Sequence, residues 1–495
     1  MRSATLFNNI NTNTMKNNLF SLTILLPITV FAITPAYAAP QDHSQLTGPY
    51  ASISEVTAQC LSCHSKQGEE ILHSSHWTWT RQRKTDTGLK KFSKKNGLTA
   101  FALAAGANPN QCLTCHISST PLEEDSDTTA AMNIDCLICH DTTGTYSRDN
   151  SAQENEQDLA VLARKAGKTT IQNCMSCHGI NARTQGEKMH GGIENDIHLQ
   201  PDGANLTCNT CHPADGGHAF QRTLKSKPGM RQTTGCAVCH TETPHIQKQL
   251  NEHAEIIACG TCHIPTYGQS EAALLSWNWL QQGTPDIYQA HDGRSSLLYS
   301  SLGVLMAKNL RPVYLWDDGA DQYYQRGEKV ERDKPVILLG PGKRTMTSKI
   351  TPFTVTFGTQ FIDKKYRYLI SPVLEQNSDL HPLASNWDEA AQEGMNKLRL
   401  PFSGQTEIIT TLTYSRLNHG VVPIEQTLDC MSCHGANSHM NWQQLGYESD
   451  PWHDDNGSDG AKIPVKTQPP STFPSTGINQ IQETVLPAVN TTEQP

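Results

Sequence analysis

This 495-residue chain has little of what a protein of its length normally packs inside. Only 36% of its residues are hydrophobic and 6% aromatic, and its mean hydropathy is −0.50. A conventional apolar core for several domains is therefore excluded, and the bulk must come from something other than side chains. Positive charge is lacking too. A formal net charge of −9 excludes a nucleic-acid binder, because phosphate recognition needs a basic surface. Long apolar runs are confined to Leu19–Ile33, so no stable membrane insertion is expected once that segment is removed. The chain also lacks any unpaired cysteine, and this absence is the informative one.

All sixteen cysteines fall into eight copies of Cys-x-x-Cys-His. The first four are Cys60/Cys63/His64, Cys112/Cys115/His116, Cys136/Cys139/His140 and Cys174/Cys177/His178. Then come Cys208/Cys211/His212, Cys236/Cys239/His240, Cys259/Cys262/His263 and Cys430/Cys433/His434. A single Cys-x-x-Cys could be a zinc or redox pair. Eight copies, each followed by histidine, point to c-type haem. Two thiols add across the vinyl groups, and the adjacent histidine falls on the iron as an axial ligand. Eight covalently bound haem c groups would supply the missing apolar mass. The expected fold is mainly α with low regular secondary structure, wrapped around a haem stack, and it should not be stable without haem.

Residues 1–38 read as a signal peptide: Met15-Lys16 opens it, Pro27 interrupts its apolar stretch, and Ala36-Tyr37-Ala38 is a cleavage site. Covalent haem attachment also takes place outside the bacterial cytoplasm, so both signals place the mature chain in the periplasm. Residues 39–269 then form an N-terminal region with seven haems, 270–425 a haem-free insert, 426–455 the eighth haem segment, and 456–495 a disordered polar tail. In the insert, Val313–Trp316, Val336–Leu339 and Phe353–Phe357 read as short β segments and Asn386–Lys397 as a helix. An insert of this length either caps a haem or makes a subunit interface, which leaves room for an oligomer.

Histidine arithmetic bears on activity. Eight of the twenty-one histidines belong to the motifs, leaving thirteen. An electron carrier wants a second histidine on every iron, whereas a catalytic haem keeps one position open. His190, His198, His218, His245 and His253 lie among the fourth to seventh motifs and suit distal ligands. His76, beside Trp77-Thr78-Trp79, competes with His73 for the same role, and His419 precedes the eighth motif. His43, His381 and His453 lie in flanking or insert segments and suit surface or supporting roles. His73, Tyr146 and Arg148 are weaker candidates for proton donation or support.

Several segments resemble the octahaem tetrathionate reductase family. They are His76-Trp77-Thr78-Trp79, Asp135 through Tyr146, Pro244-His245 to His253, Cys259 through Pro265, Asn418 through Pro423, and Leu445-Gly446-Tyr447 with Asp450-Pro451. The likeness spans about residues 55–453 and extends to pentahaem nitrite reductase and hydroxylamine oxidoreductase. It implies a periplasmic reductase of tetrathionate, nitrite or hydroxylamine, supplied by a donor such as a periplasmic or membrane-anchored cytochrome. It also implies a lysine ligand on the second haem, attached at Cys112 and Cys115. The matching position is Lys168, with Lys165 as runner-up, although Thr169 stands where the family tends to have proline. Seven distal histidines (His76, His190, His198, His218, His245, His253, His419) and one lysine would then serve eight irons. Lys168 would either displace His116 or sit opposite it. The alternative is a non-enzymatic multihaem electron carrier, for which eight distal histidines would be expected.

Overall fold

Two thiols three residues apart reach one porphyrin edge when the backbone between them makes a helical turn. In the computed structural model the motifs are built around such turns. The structure describes residues 42–452 apart from 94–95, 100, 102, 110–111, 113–114, 119–130, 149–156, 180–194, 216, 221–234, 270–271, 279–296, 300–303 and 374–386. The leader at 1–38 and the tail at 456–495 thus lie outside the described residues. Helix α1 (Ile53–Leu72) carries the first motif, and α2 (Ser75–Thr78) follows it. Next come α3 (Leu137–His140), α4 (Leu159–Arg164), α5 (Ile171–His178), α6 (Cys208–Cys211) and α7 (Ala237–His240). Last are α8 (Lys248–Ile256), α9 (Cys259–His263), α10 (Trp387–Lys397) and α11 (Cys430–Cys433).

Turns this short need caps, because most of their backbone groups have no intrahelical partner. Thr170 and Asn173 form a reciprocal capping box at the start of α5, and Asp429 accepts from the Ser432 amide at the start of α11. Ser52 caps α1 by accepting from Glu55. That helix breaks at His64, whose φ of −112° and ψ of 39° turn the backbone at the motif histidine.

A hairpin of β1 (Thr80–Thr85) and β2 (Gly88–Ser93) follows α2, and β3 (Ala214–Asp215) pairs with β4 (Ala219–Phe220). The insert forms a mixed sheet of eight strands: β5 (Ala273–Asn278), β6 (Leu297–Tyr299), β7 (Val304–Ala307), β8 (Val313–Asp317), β9 (Asp321–Tyr323), β10 (Val336–Pro341), β11 (Lys349–Asp363) and β12 (Thr406–Arg416). Seven strands run in the order β6-β7-β5-β11-β12-β10-β9, and β8 pairs with the start of β11. β11 is buried along nearly its whole length, as a central strand covered on both faces should be. Phe353, Val355 and Phe357 pack with Leu275, Leu305, Leu412 and Tyr414, each contributing roughly 2 kcal/mol by burial. α10 lies close against the sheet's end, where a side chain at Gly394 would collide with the Ser371 carbonyl oxygen.

Short motif helices dominate the region before residue 270, as expected, and the β segments expected in the insert are joined in one mixed sheet. The expected runs fall within β8, β10 and β11, and the expected helix is α10. The sheet is tied to the motifs. The Ala258 amide and Thr261 hydroxyl both donate to Ile350 O at 2.9 Å, and Trp316 donates to Leu445 O at 2.8 Å. It also holds the β1/β2 hairpin, through Arg83 to Asp321 at 2.6 Å and Lys84 to Asp318 at 2.9 Å. Arg416 adds bonds to both Asp317 and Asp321. Among the described residues no helix is long and apolar enough to cross a membrane.

Candidate haem centres

Folding brings seven motif histidines face to face with seven others. The ring pairs are His64 with His43 (6.2 Å between centroids), His140 with His218 (6.3 Å), His178 with His76 (6.2 Å) and His212 with His419 (6.2 Å). The rest are His240 with His198 (5.9 Å), His263 with His245 (6.3 Å) and His434 with His253 (6.4 Å). Two metal–nitrogen bonds of about 2 Å, each extended by about 1.1 Å to a ring centre, sum to about 6 Å. The separation therefore fits one iron between each pair, too wide for stacking and too narrow for a porphyrin lying between flat rings. Among the described residues no three or more His, Cys, Asp and Glu side chains converge. Each pair stands alone, as two axial ligands would.

The motif thiols differ in how far the protein encloses them. Cys433 is buried, whereas Cys63 and Cys239, both assigned to haem attachment from their motifs, are exposed. Cys211, Cys236, Cys259 and Cys430 are exposed as well. No protein pocket therefore marks Cys63 or Cys239 as a binding residue, and their assignment rests on the motif and its turn alone. The physical reason is local. A thioether needs its sulfur at a porphyrin edge and not inside a side-chain cavity, and short turns have few neighbours of their own to cover a thiol. Among the described residues Cys63 accepts from the Ser62 hydroxyl of its own helix at 3.8 Å. The Cys239 amide donates to Cys236 O at 3.1 Å, which closes the turn between the two thiols of the sixth motif.

In seven of the fourteen paired histidines the second ring nitrogen is held in a way that suits metal binding. Nδ1 of His43 lies 3.1 Å from Ala166 O, His140 2.7 Å from Gly167 O, and His253 2.9 Å from Gln249 O. Nδ1 of His198 meets Asp196 (2.9 Å), His218 meets Glu70 (3.0 Å), His245 meets Asn251 (3.2 Å) and His434 meets Asp450 (2.7 Å). Each Nδ1–H donated to such an acceptor leaves the Nε2 lone pair for iron and fixes the ring's direction. Burial lowers the pKa of His140 and His263, and with neighbouring His212 it pushes His419 down to about 4. A neutral imidazole is the form that binds metal.

His116 breaks this pattern. Its ring is completely buried, and Nε2 lies 3.0 Å from Trp77 O. The Ser118 amide donates to Nδ1 at 3.2 Å, so Nε2 is the protonated nitrogen and the tautomer is the reverse of the paired rings. Trp79 stands edge-on to the ring at 4.4 Å. Cys115 of this motif lies beside Cys177 of the fourth, with sulfur-to-carbonyl distances of 4.0 and 3.8 Å. α2 touches both centres: His76 faces His178, and the next residue accepts from His116.

The remaining candidates are placed as follows. His43 is not a surface residue but faces His64, a correction to its expected role. It precedes every motif, so nothing in chain order marked it. His190 lies outside the described residues. His381 and His453 also lie outside the described residues. His73 turns its Nδ1 to Glu69 O at 2.9 Å and pairs with no motif histidine. Lys165 and Lys168 are exposed. The backbone just before Lys168 is pinned by His43 at Ala166 and by His140 at Gly167. Tyr146 and Arg148 are engaged within the protein. Both are bound to buried Asp135, where burial raises the carboxyl's pKa against the pull of Arg148. The Nδ1 acceptors Glu70, Asp196, Asn251 and Asp450 were not expected, although Asp196-x-His198 is a spacing that suggests one.

Comparison with known proteins points to c-type cytochromes. A family described as bacterial cytochrome c matches residues 275–437, and one described as cytochrome c554 and c-prime matches residues 59–141. The solved structure of octahaem cytochrome c from Shewanella oneidensis is 32% identical. The match covers 85% of this chain and 99% of that one, with a TM-score of 0.73. No curated protein matches.

Proposed function

The chain belongs to the octahaem tetrathionate reductase family of multihaem c-type cytochromes, and we propose that it is a periplasmic reductase of small inorganic substrates. In this reading the eight motifs carry eight haem c groups. Seven would be held between the histidine pairs and would carry electrons. The eighth, on Cys112 and Cys115, would be the substrate site, with Lys168 as its protein ligand. The single observation that carries the reading is the contrast at His116, whose two ring nitrogens are engaged by Trp77 and Ser118, while seven of the fourteen paired rings have Nδ1 engaged and Nε2 left over. It favours Lys168 taking the place of His116 over sitting opposite it. Eight histidine pairs would have favoured the alternative, an electron carrier without catalysis.

When bound, haem supplies one-electron transfer and, where an axial position stays open, an electrophilic iron for substrate. The chain's own part is to hold and to wire. Six-coordinate pairs change oxidation state with little movement, and the Nδ1 acceptors keep each ring fixed while they do so. The contact of Cys115 with Cys177 makes the fourth motif a candidate electron donor to the second. A lysine amine binds iron only in its neutral form. Tetrathionate reduction to thiosulfate takes two electrons and nitrite reduction to ammonium takes six, so several haems in contact would serve either. Periplasmic placement rests on the leader at 1–38, and a periplasmic or membrane-anchored cytochrome is the proposed donor.

The oxidised holoprotein should show a minority signal, about one iron in eight, distinct from bis-histidine haem. Nitrite, cyanide or hydroxylamine should shift that signal and leave the rest. Lys168→Ala should alter it alone and lower reductase activity by at least about 100-fold. Eight bis-histidine signals, inert to all three ligands, would sink the proposal.

A further inference from the structure

The backbone of the second motif turns like the others. The His116 amide donates to Cys112 O at 2.8 Å, as His140 does to Cys136 (3.1 Å), His240 to Cys236 (3.0 Å) and His434 to Cys430 (3.0 Å). By that turn alone, His116 should project toward its iron as its counterparts do. The difference lies just downstream. Ser118 forms a β-bridge with Ile134, and the Asp135 amide donates to Ile117 O at 2.8 Å. The Arg148 guanidinium donates to the carbonyl oxygens of both His116 and Ser118. Arg148 is anchored in turn: its Nε lies 3.1 Å from Asp135 Oδ2, and the Tyr146 hydroxyl donates to the same oxygen at 2.6 Å. The other Asp135 oxygen accepts from the Ile138 amide at 3.2 Å, and Asp135 is 2% exposed. A buried ion pair whose remaining acceptors are filled has one geometry and resists leaving it.

We propose that Arg148, Asp135 and Tyr146 are positioning residues that lock the His116–Ser118 backbone and so hold the His116 ring against Trp77, off the iron of the second haem. The inference rests on the proposed function in one respect, that the second haem is the site kept free of its motif histidine. Without the lock, the turn shared with the other motifs would let His116 swing to the iron and compete for it. An anion-binding role for Arg148 is a poor fit, because its guanidinium already serves two carbonyls and a carboxylate.

The test uses oxidised holoprotein with haem content verified by mass. Arg148→Leu should convert the one-in-eight minority signal toward a histidine-ligated low-spin signal. Adding His116→Ala to that variant should abolish the conversion, which general damage to the fold would not do. Asp135→Asn, nearly isosteric, should give a partial conversion and serves if Arg148→Leu does not accumulate. Loaded Arg148→Leu and Asp135→Asn variants that both keep the wild-type minority signal would overturn the lock. So would a changed spectrum in His116→Ala alone, since that histidine would then already be on iron. Lys168→Ala separates the two proposals. If it changes nothing while Arg148→Leu converts, the lock stands and the lysine assignment falls; the opposite outcome overturns the lock alone.

Discussion

The second and third motifs are separated by nineteen residues and share a backbone turn, yet they treat their histidines in opposite ways. His140 donates from Nδ1 to Gly167 O and turns the other nitrogen to His218. His116 donates from Nε2 to Trp77 O, and its Nδ1 is taken by Ser118. Chemically the two residues are identical, so the difference belongs to what surrounds them. Around His140 a strand-like bridge between Asp141 and Ala166 brings the Gly167 carbonyl to the correct nitrogen. Around His116 an equivalent bridge, Ser118 to Ile134, is fastened by Arg148 and brings no carbonyl to Nδ1. The two histidines thus differ in which ring nitrogen finds an acceptor, a choice worth about one hydrogen bond, or 0.5–1.5 kcal/mol.

The largest effect that would sharpen this contrast comes from removing one member of a pair. His419→Ala should leave the fifth haem with one histidine and create a second site open to cyanide. Electron flow through that haem should fall by at least about 100-fold. The measurement is cyanide titration of the oxidised holoprotein: wild type should bind at one site and the variant at two. A variant still binding at one site would show that the pairing of His212 with His419 does not define a closed centre.

A smaller effect is expected from the acceptors. His218 holds the Glu70 carboxyl below its ordinary value, so Glu70 is ionised at neutral pH and strengthens His218 as a donor. Glu70→Ala should shift the potential of the third haem to more positive values and weaken ligation about tenfold. The second haem should keep its potential. Spectroelectrochemistry reads both, and equal shifts at the two haems would mean that Glu70 acts through general charge and not through His218.

What could be read without the structure divides along the same line. The motif cysteines and histidines were legible because the chemistry sits in five consecutive residues. For exposed Cys63 and Cys239 that local pattern remains the whole of the argument, since the fold adds no enclosure around them. Parts of the sheet were legible too: Val313–Trp316 and Phe353–Phe357 alternate and branch enough to mark strands. β12 was not, because Thr406–Arg416 mixes threonine and charge and becomes a strand through pairing with β11, more than forty residues upstream. Most of the histidines that face a motif histidine could be guessed from their place among the motifs, but His43 lies before all of them and meets His64 only because the segment before α1 packs back along that helix. The turning of His116 was least legible. Its determinants are Trp77, 39 residues before it, and Arg148, 32 residues after it, and no local pattern links them.

The smallest effect tests whether the sheet supports the unusual centre and leaves the paired ones alone. Trp79, edge-on to His116, leads directly into β1, and β1 is held to the sheet by Arg83 on Asp321. Burial by itself would raise the Asp321 carboxyl, but Arg416 and Arg83 hold it below its ordinary value. A carboxyl whose folded pKa is depressed contributes stability that is present above the unfolded value of about 3.9 and is lost as pH falls through the lower folded value. The hairpin should therefore keep constant hydrogen-exchange protection, corrected for intrinsic rates, from pH 7 to about pH 5 and lose it only below about pH 4. Over that acid window the minority haem signal should change before the bis-histidine signals do. Asp321→Asn should lower protection already at neutral pH and remove its acid dependence, because the amide keeps the shape but not the charge that pairs with Arg83 and Arg416. If protection of Thr80–Ser93 and the minority signal decline independently, the hairpin does not couple the sheet to His116, and the second centre is held by Arg148 and Trp77 without it.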